Sequence, residues 1–402
     1  MRAALGATAQ IMGMRKAQRL SRRYLDSHSA KVAVLTRARK RVDLDLSQAT
    51  TEVCAALITE AAKVGPWGGD SGRARRLLKT EWKKAQWVYD LTVVQRASAE
   101  LVLDVTRALS PAHTNLFSAS GGLPALEAWL REHLPAADLV LTTDIPRFYE
   151  HLQRSKLETG LPLSGSVLRK VLYSVKDEAR DLPIHPLKMG TNPDAAEVSS
   201  KGDGVPRGSA ASAGVGEVAI SDILQSINEA APAAHAAAFG DNLIVLLAKE
   251  DEQSVRSALS GAVTEWCGVA VIAELTRRIH CDNPAKPFSF CGRIYREAGG
   301  KLKAAVDEER VNRASLKFSM HLEAAMASGE DWRFAHLRRR VRGWVTHNAA
   351  FPDVVSEAVG LLVHIDKMSP SPPPLATSQW LPPDPLEPPP WVDNSSPEND
   401  PG

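Results

Sequence analysis

Ala236-Ala-Ala-Phe-Gly-Asp-Asn-Leu-Ile-Val-Leu-Leu-Ala248 sets an apolar run on each side of a Gly240-Asp241-Asn242 turn. Gly and Asn tolerate positive φ, while Ala, Val, Ile and Leu arms pair and bury, so the stretch predicts a β-hairpin with Asp241 lifted to its tip. A carboxylate there has two readings. Most such Asp residues are turn formers; some are oxygen ligands for a divalent cation. The choice depends on what lies upstream.

Two earlier stretches bear on it. Leu139-Val-Leu-Thr-Thr-Asp-Ile-Pro-Arg-Phe-Tyr-Glu-His-Leu152 reads as a buried strand ending in Asp144, followed by an aromatic pair and a helix start. Gly204-Val-Pro-Arg-Gly-Ser-Ala-Ala-Ser212 is a turn of small residues running into an apolar helix, Gly214 to Ile227. In this order and spacing the three stretches resemble palm motifs A, B and C of reverse transcriptases. The likeness is nearest to the prokaryotic and group II intron-like branch, with patterns D-I-x-x-F-[FY], G-[LIV]-P-[QI]-G-S and [YF]-x-D-D. The resemblance implies an α+β right-hand polymerase: fingers and an antiparallel palm sheet flanked by helices, followed by a helical thumb. Along this chain that means a basic helical extension over 1–69, fingers and palm over 70–300, a thumb-like region over 301–368 and a tail over 369–402.

Polymerisation is an in-line attack of a primer 3′-oxygen on an α-phosphate, and two metals about 3.5–4 Å apart stabilise the attacking and leaving oxygens. Such metals take carboxylate oxygens, so a palm must bring acids from separate strands together. The resemblance assigns this catalytic role to Asp144 and Asp241, with Mg²⁺ or Mn²⁺ as cofactor. Tyr149, five residues after Asp144, stands where the family excludes a ribose 2′-hydroxyl, which favours deoxynucleotides. Phe148 is expected to point the other way along the pleat and pack in the core. Gly204, Pro206, Gly208 and Ser209 would shape the backbone beneath the templating pair. Arg207 replaces the usual Gln and adds a candidate phosphate partner.

Asn242 is the main departure, because motif C normally has two adjacent acids. An amide oxygen can complete a metal shell with Asp144 and Asp241 but brings no negative charge. Three readings stay open: an RNA-directed DNA polymerase of a mobile element or phage-defence system, a viral-type RNA-dependent RNA polymerase with Gly-Asp-Asn in motif C, and a catalytically degenerate palm that binds RNA. The partners implied are an RNA template, a nucleic-acid primer and deoxynucleotides.

The composition fits a protein with a sizeable core: 402 residues, 44% hydrophobic, formal net charge +2. Cys54, Cys267, Cys281 and Cys291 are widely spaced without a C-x-x-C pair, which argues for reduced thiols in a cytoplasmic compartment and against a structural zinc. No apolar run is long enough to span a membrane. Between Met1 and Arg41 there are eleven Lys/Arg and one acid, Asp26. This arm reads as a nucleic-acid-tracking segment, a solvated helix or an organellar transit peptide.

Leu44 to Val64 has helical apolar spacing and ends at Gly65-Pro-Trp-Gly-Gly69. Arg73 to Lys84 holds six basic residues around Trp82. The pattern reads as an exposed basic helix face; by resemblance Lys79, Lys83 and Lys84 are fingers residues for phosphate. Leu91-Thr-Val-Val-Gln-Arg-Ala97 and Phe117 to Leu130 resemble segments that precede motif A, the second without its usual Arg. His185 to Asp203 reads as a long polar loop. Asp251 to Ile279 shows a helical apolar stripe, and Phe288-Ser-Phe-Cys-Gly-Arg-Ile294 is similar to the family's primer-grip element. Helical sequence follows Val306. Its Arg333-to-Trp344 stretch places Arg338, Arg339, Arg340 and Arg342 as candidate duplex contacts or as a solvated basic face. From Ser369 onward twelve of the 26 prolines fall with five acids and no Lys or Arg, which predicts a disordered or polyproline tail able to recruit a protein partner.

Overall fold

The computed structural model describes residues 14–40, 51–67, 72–81, 84–181, 204–299 and 301–368. The loop expected over 185–203, Lys83, the first residues of the basic arm and the Pro-rich tail lie outside them. The strands are β1 (Arg75–Glu81), β2 (Lys84–Asp90), β3 (Leu139–Asp144), β4 (Arg180–Asp181), β5 (His235–Phe239), β6 (Asn242–Leu247), β7 (His280–Asp282), β8 (Phe288–Phe290), β9 (Arg293–Ala298) and β10 (Lys301–Val306). The longer helices are α1 (Met14–Asp26), α2 (His28–Lys40), α3 (Thr51–Ala61), α4 (Val93–Leu109), α5 (Gly122–His133), α6 (Ala210–Ala230), α7 (Glu252–Cys267), α8 (Ile272–Arg278), α9 (Glu308–Ser328), α10 (Asp331–His347) and α11 (Pro352–Met368). The class is α+β. Two compact units are formed, Met1–Lys286 with Glu297–Leu302, and Pro287–Arg296 with Lys303–Gly402.

In the first unit, the apolar arms around Gly240 pair as β5 and β6. Gly240 at the first turn position has φ +66, and Phe239 pairs with Asn242, the pattern of a two-residue II′-type turn. Asn242 is therefore the first strand residue and no longer part of the turn. The sheet order is β5-β6-β3-β7, antiparallel throughout, with β3 and β6 in register from Leu139↔Leu247 to Asp144↔Asn242. Val140, Leu141, Ala236, Ala237, Leu243, Ile244 and Val245 are all inaccessible to solvent, so these strands are buried on both faces. That explains their nearly unbroken apolar sequence.

Helix α6 packs against α4, α7 and β5. Helix α4 starts at a capping box: Gln95 N donates to Thr92 Oγ1 at 3.2 Å and Thr92 N donates to Gln95 Oε1 at 3.1 Å. The N-terminal helices belong to the same core. Leu25, Val34, Leu35, Ala61 and Val64 are buried with Leu101 and Val105 of α4, and Arg37 of α2 pairs with Asp104 and Glu100. Part of the basic arm is thus spent on holding α2 to α4.

The basic stretch from Arg73 forms a strand and not the expected helix. Trp87-Val-Tyr89 on β2 supplies a β-forming partner, and β1 pairs with it from Arg75↔Asp90 to Glu81↔Lys84. Asp90 accepts from both Arg75 (2.5 Å) and Arg96 (2.7 Å), which neutralises the basic end of the hairpin. A short parallel contact adds β4 to β1.

In the second unit, α9, α10 and α11 enclose Phe318, Leu322, Phe334, Leu337, Val341 and Ile365. Asp307 caps the start of α9 by accepting from Glu309 N at 3.0 Å. Among the described residues, no helix is long and apolar enough to cross a membrane.

Candidate functional site

Antiparallel pairing of β3 and β6 brings Asp144 opposite Asn242, and the β5–β6 turn sets Asp241 immediately before it. Ile145 N donates to Asp241 O at 3.0 Å, so the chain leaving β3 is tied to the turn that carries the second acid. Two acids almost a hundred residues apart in sequence thus meet at one end of adjacent strands. The turn is braced from outside. Residues 115–118 run beside β5, with Ala238 N donating to Asn115 O, Phe117 N donating to Ala238 O, and Gly240 N donating to Ser118 Oγ at 3.0 Å. Asn242 Nδ2 donates to Phe239 O at 3.3 Å, which leaves the carbonyl oxygen, the atom a hard cation would take, outside that bond.

After Pro146 the chain reverses at Arg147, whose φ is +47, and enters a one-turn helix, Phe148–His151. Phe148 and Tyr149 are therefore helical, not successive residues of a pleat as the sequence reading expected. The buried position of Phe148 is kept, because the aromatic pair lies against Gly216 of α6, where a Cβ would already be within 3.1 Å of both rings. The Tyr149 hydroxyl is pushed up to about 12, first by burial and next by the Asp241 charge, so it is a neutral phenol at physiological pH. Arg207 lies over the Tyr149 ring at 5.9 Å. The neighbouring Glu150 carboxyl is raised by burial, against the pull of Arg147, Arg207 and Lys176.

The Gly204–Ser209 turn docks on this aromatic turn. Val205 N donates to Tyr149 O at 2.7 Å and Gly204 N to Leu152 O at 2.9 Å. Gly204 has φ +46, and a Cβ there would stand 2.3 Å from Glu150 O, so glycine is required by both conformation and space. Arg207 O accepts from Tyr89 N of β2, and Pro206 O accepts from Ser212 Oγ. Gly208, with φ +95, sits against Tyr89 O. Ser209, the residue before α6, is buried, and its hydroxyl has no hydrogen-bond partner among the described residues. Four distant stretches, around 89, 144–152, 204–212 and 241, converge here.

The arrangement also contains residues the sequence reading did not single out. Arg278, the last residue of α8, donates to Asp144 Oδ2 and, with its other nitrogen, to Glu274 Oε1. Arg147 lies 3.9 Å from the second Glu274 oxygen. Burial alone would lower the Arg278 pKa, but the Asp144 and Glu274 carboxylates raise it overall. The i,i+4 spacing of Glu274 and Arg278 is visible in sequence as a helical pair. Its reach to Asp144 is not.

Asp144, Asp241 and the Asn242 amide are all oxygen donors, the class that Mg²⁺ and Mn²⁺ take, so they fit such a cation in kind, with Arg278 as the present partner of one carboxylate. Among the described residues no group of three or more His, Cys, Asp and Glu converges on a point. Lys79 lies on β1, but its side chain and all of Lys83 are outside the described residues. In the second unit Arg338 is buried and bonded to Asp366 at 2.5 Å, so it serves the α10–α11 contact and is not a surface cation. Arg339 is exposed; Arg340 is half-buried and meets His321 at 2.8 Å; Arg342 is half-buried. A scan against protein-family models and a search among curated proteins gave no match.

Proposed function

We propose that the first unit is the palm of a template-directed nucleotidyl transferase that resembles reverse transcriptases and extends a DNA strand on RNA. One observation carries this reading. Asp144 ends β3 beside the turn that carries Asp241, with Ile145 N bonded to Asp241 O, and the Gly204–Ser209 turn is bonded to the Tyr149 and Leu152 carbonyls that follow Asp144. Asp144, Asp241 and Asn242 Oδ1 would hold Mg²⁺ or Mn²⁺, which when bound supplies positive charge to the reacting phosphate. Tyr149 would lie under the incoming sugar and reject a 2′-hydroxyl. Arg207, held over that ring, would meet a phosphate. In the second unit, the exposed Arg339 and the half-buried Arg342 would meet a nucleic-acid backbone, in the manner of a thumb.

A second reading is a palm that binds RNA without turnover. Asn242 in place of an acid and Arg278 bonded to Asp144 both favour it, since each lowers the negative charge offered to a cation. Purified full-length protein with primed homopolymer RNA and labelled dNTP or NTP, in Mg²⁺ and in Mn²⁺, separates the readings. Incorporation of dNTP supports the first. Incorporation of NTP alone makes the protein an RNA polymerase. RNA retention with no incorporation in either metal makes it a binding protein.

A further inference from the structure

We propose that Arg278 is a resident counter-cation of Asp144 that a divalent cation must displace, and that Glu274 retains it when it leaves. This rests on the palm reading above. The local charge balance is the starting point. Two carboxylates set at one end of paired strands raise each other's energy unless a positive group lies between or beside them. Asn242 adds no charge, and Arg278 supplies one positive charge directly on Asp144. The protein therefore has its own neutralising group in the position where a cation would act.

The geometry makes that group exchangeable. Arg278 closes α8, where Ile279 N donates to Leu275 O, and two residues later His280 pairs with Thr142 of β3. The backbone beneath Arg278 is thus anchored to the strand that carries Asp144, so exchange at Asp144 falls to the side chain. Its fork is split, one nitrogen on Asp144 and one on Glu274, four residues back on the same helix. Asp144, Arg278 and Glu274 side chains are 35%, 30% and 30% exposed, in the range where an ion pair is weak and water can replace either partner. Giving up Asp144 costs Arg278 one of two bonds. The Glu274 bond stays, and the Arg147 contact helps to fix that carboxylate. Asp104, by contrast, is buried and accepts from both Arg37 and the Tyr24 hydroxyl, and offers no such exchange.

The competition is read by Mn²⁺ binding to the full chain, measured from the free-ion EPR signal without substrate. Arg278→Gln should tighten Mn²⁺ binding about fivefold, the scale of an exposed ion pair. Glu274→Gln removes the alternative acceptor and should weaken it. Asp144→Asn should remove the site in either background. Arg277→Gln makes the same change of charge one residue away, where the guanidinium bonds within its own helix to Ala273 O, and should leave the affinity unaltered. Circular dichroism of each variant checks folding, and Arg278→Lys, which keeps the charge without the fork, should fall between wild type and Gln. If Mn²⁺ binds through Asp144 but Arg278→Gln leaves the affinity unchanged or weaker, or Arg277→Gln shifts it equally, the displacement is wrong and the palm reading stands. If no variant binds Mn²⁺ through Asp144, both fall.

Discussion

Two arginine–carboxylate contacts in the first unit use the same chemistry for opposite ends. Asp104 is buried in α4 and accepts from Arg37 at 2.6 Å and from the Tyr24 hydroxyl at 3.2 Å. Asp144 ends a strand, one third exposed, and accepts from Arg278. In the first, desolvation and a second donor make the contact part of the packing of α1 and α2 on α4. In the second, solvent reaches every member, so the contact contributes little to stability and can be exchanged. Burial of the carboxylate, and not the identity of the residues, divides the packing pair from the pair we propose to be exchangeable, since Arg37 is itself 43% exposed.

The largest effect expected from breaking this contrast is on activity. Asp144→Ala and Asp241→Ala should each lower primer extension on the order of 10³-fold, the loss of several kcal/mol of transition-state stabilisation, with RNA affinity by filter binding almost unchanged. Full activity in either variant would remove the assignment of the site. On stability the order reverses. Asp104→Ala removes the buried acceptor of the Tyr24 hydroxyl and of Arg37 and should cost about 2–3 kcal/mol in urea unfolding, whereas Asp144→Ala should cost less than about 1 kcal/mol. Equal losses would show that the two contacts do the same work.

Smaller effects sharpen the functional side. Tyr149→Val should relax discrimination against ribonucleotides about tenfold in competing dNTP and NTP incorporation, because the steric wall is shortened without touching the acids. A wild type that already prefers NTP would replace the DNA polymerase reading. The smallest effect is expected at Asn242. Asn242→Asp adds a charge beside Asp241 and should tighten Mg²⁺ binding a fewfold and shift a Mn²⁺ preference toward Mg²⁺. Its activity need not rise, since the added carboxylate also repels Asp144. Identical metal curves for active wild type and variant would put Asn242 outside any metal shell.

The β5–β6 hairpin, the β3 strand ending at Asp144, the helix after Ser209 and the helical run beyond Val306 follow from turn residues and apolar period, which act within one element. The basic stretch at Arg75 misled for the same reason. Its charge pattern belongs to one segment, while its conformation is set by pairing along β2. The burial of Arg338 was equally hidden, because a basic run on a helix does not say which of its members faces α11.

By itself the sequence determined the β5–β6 hairpin, the β3 strand and the helical runs after Ser209 and Val306, and it set Asp144 at a strand end and Asp241 in a turn, because turn chemistry and periodicity are local. Only the tertiary structure decided that those strands are neighbours in register, that Gly204 must approach the Glu150 carbonyl closely, and that Arg278 reaches Asp144 across 134 residues. Sheet order and the docking of α8 beside β3 set these contacts. They are sums of many weak burial terms over distant segments, and no short pattern in the chain encodes them.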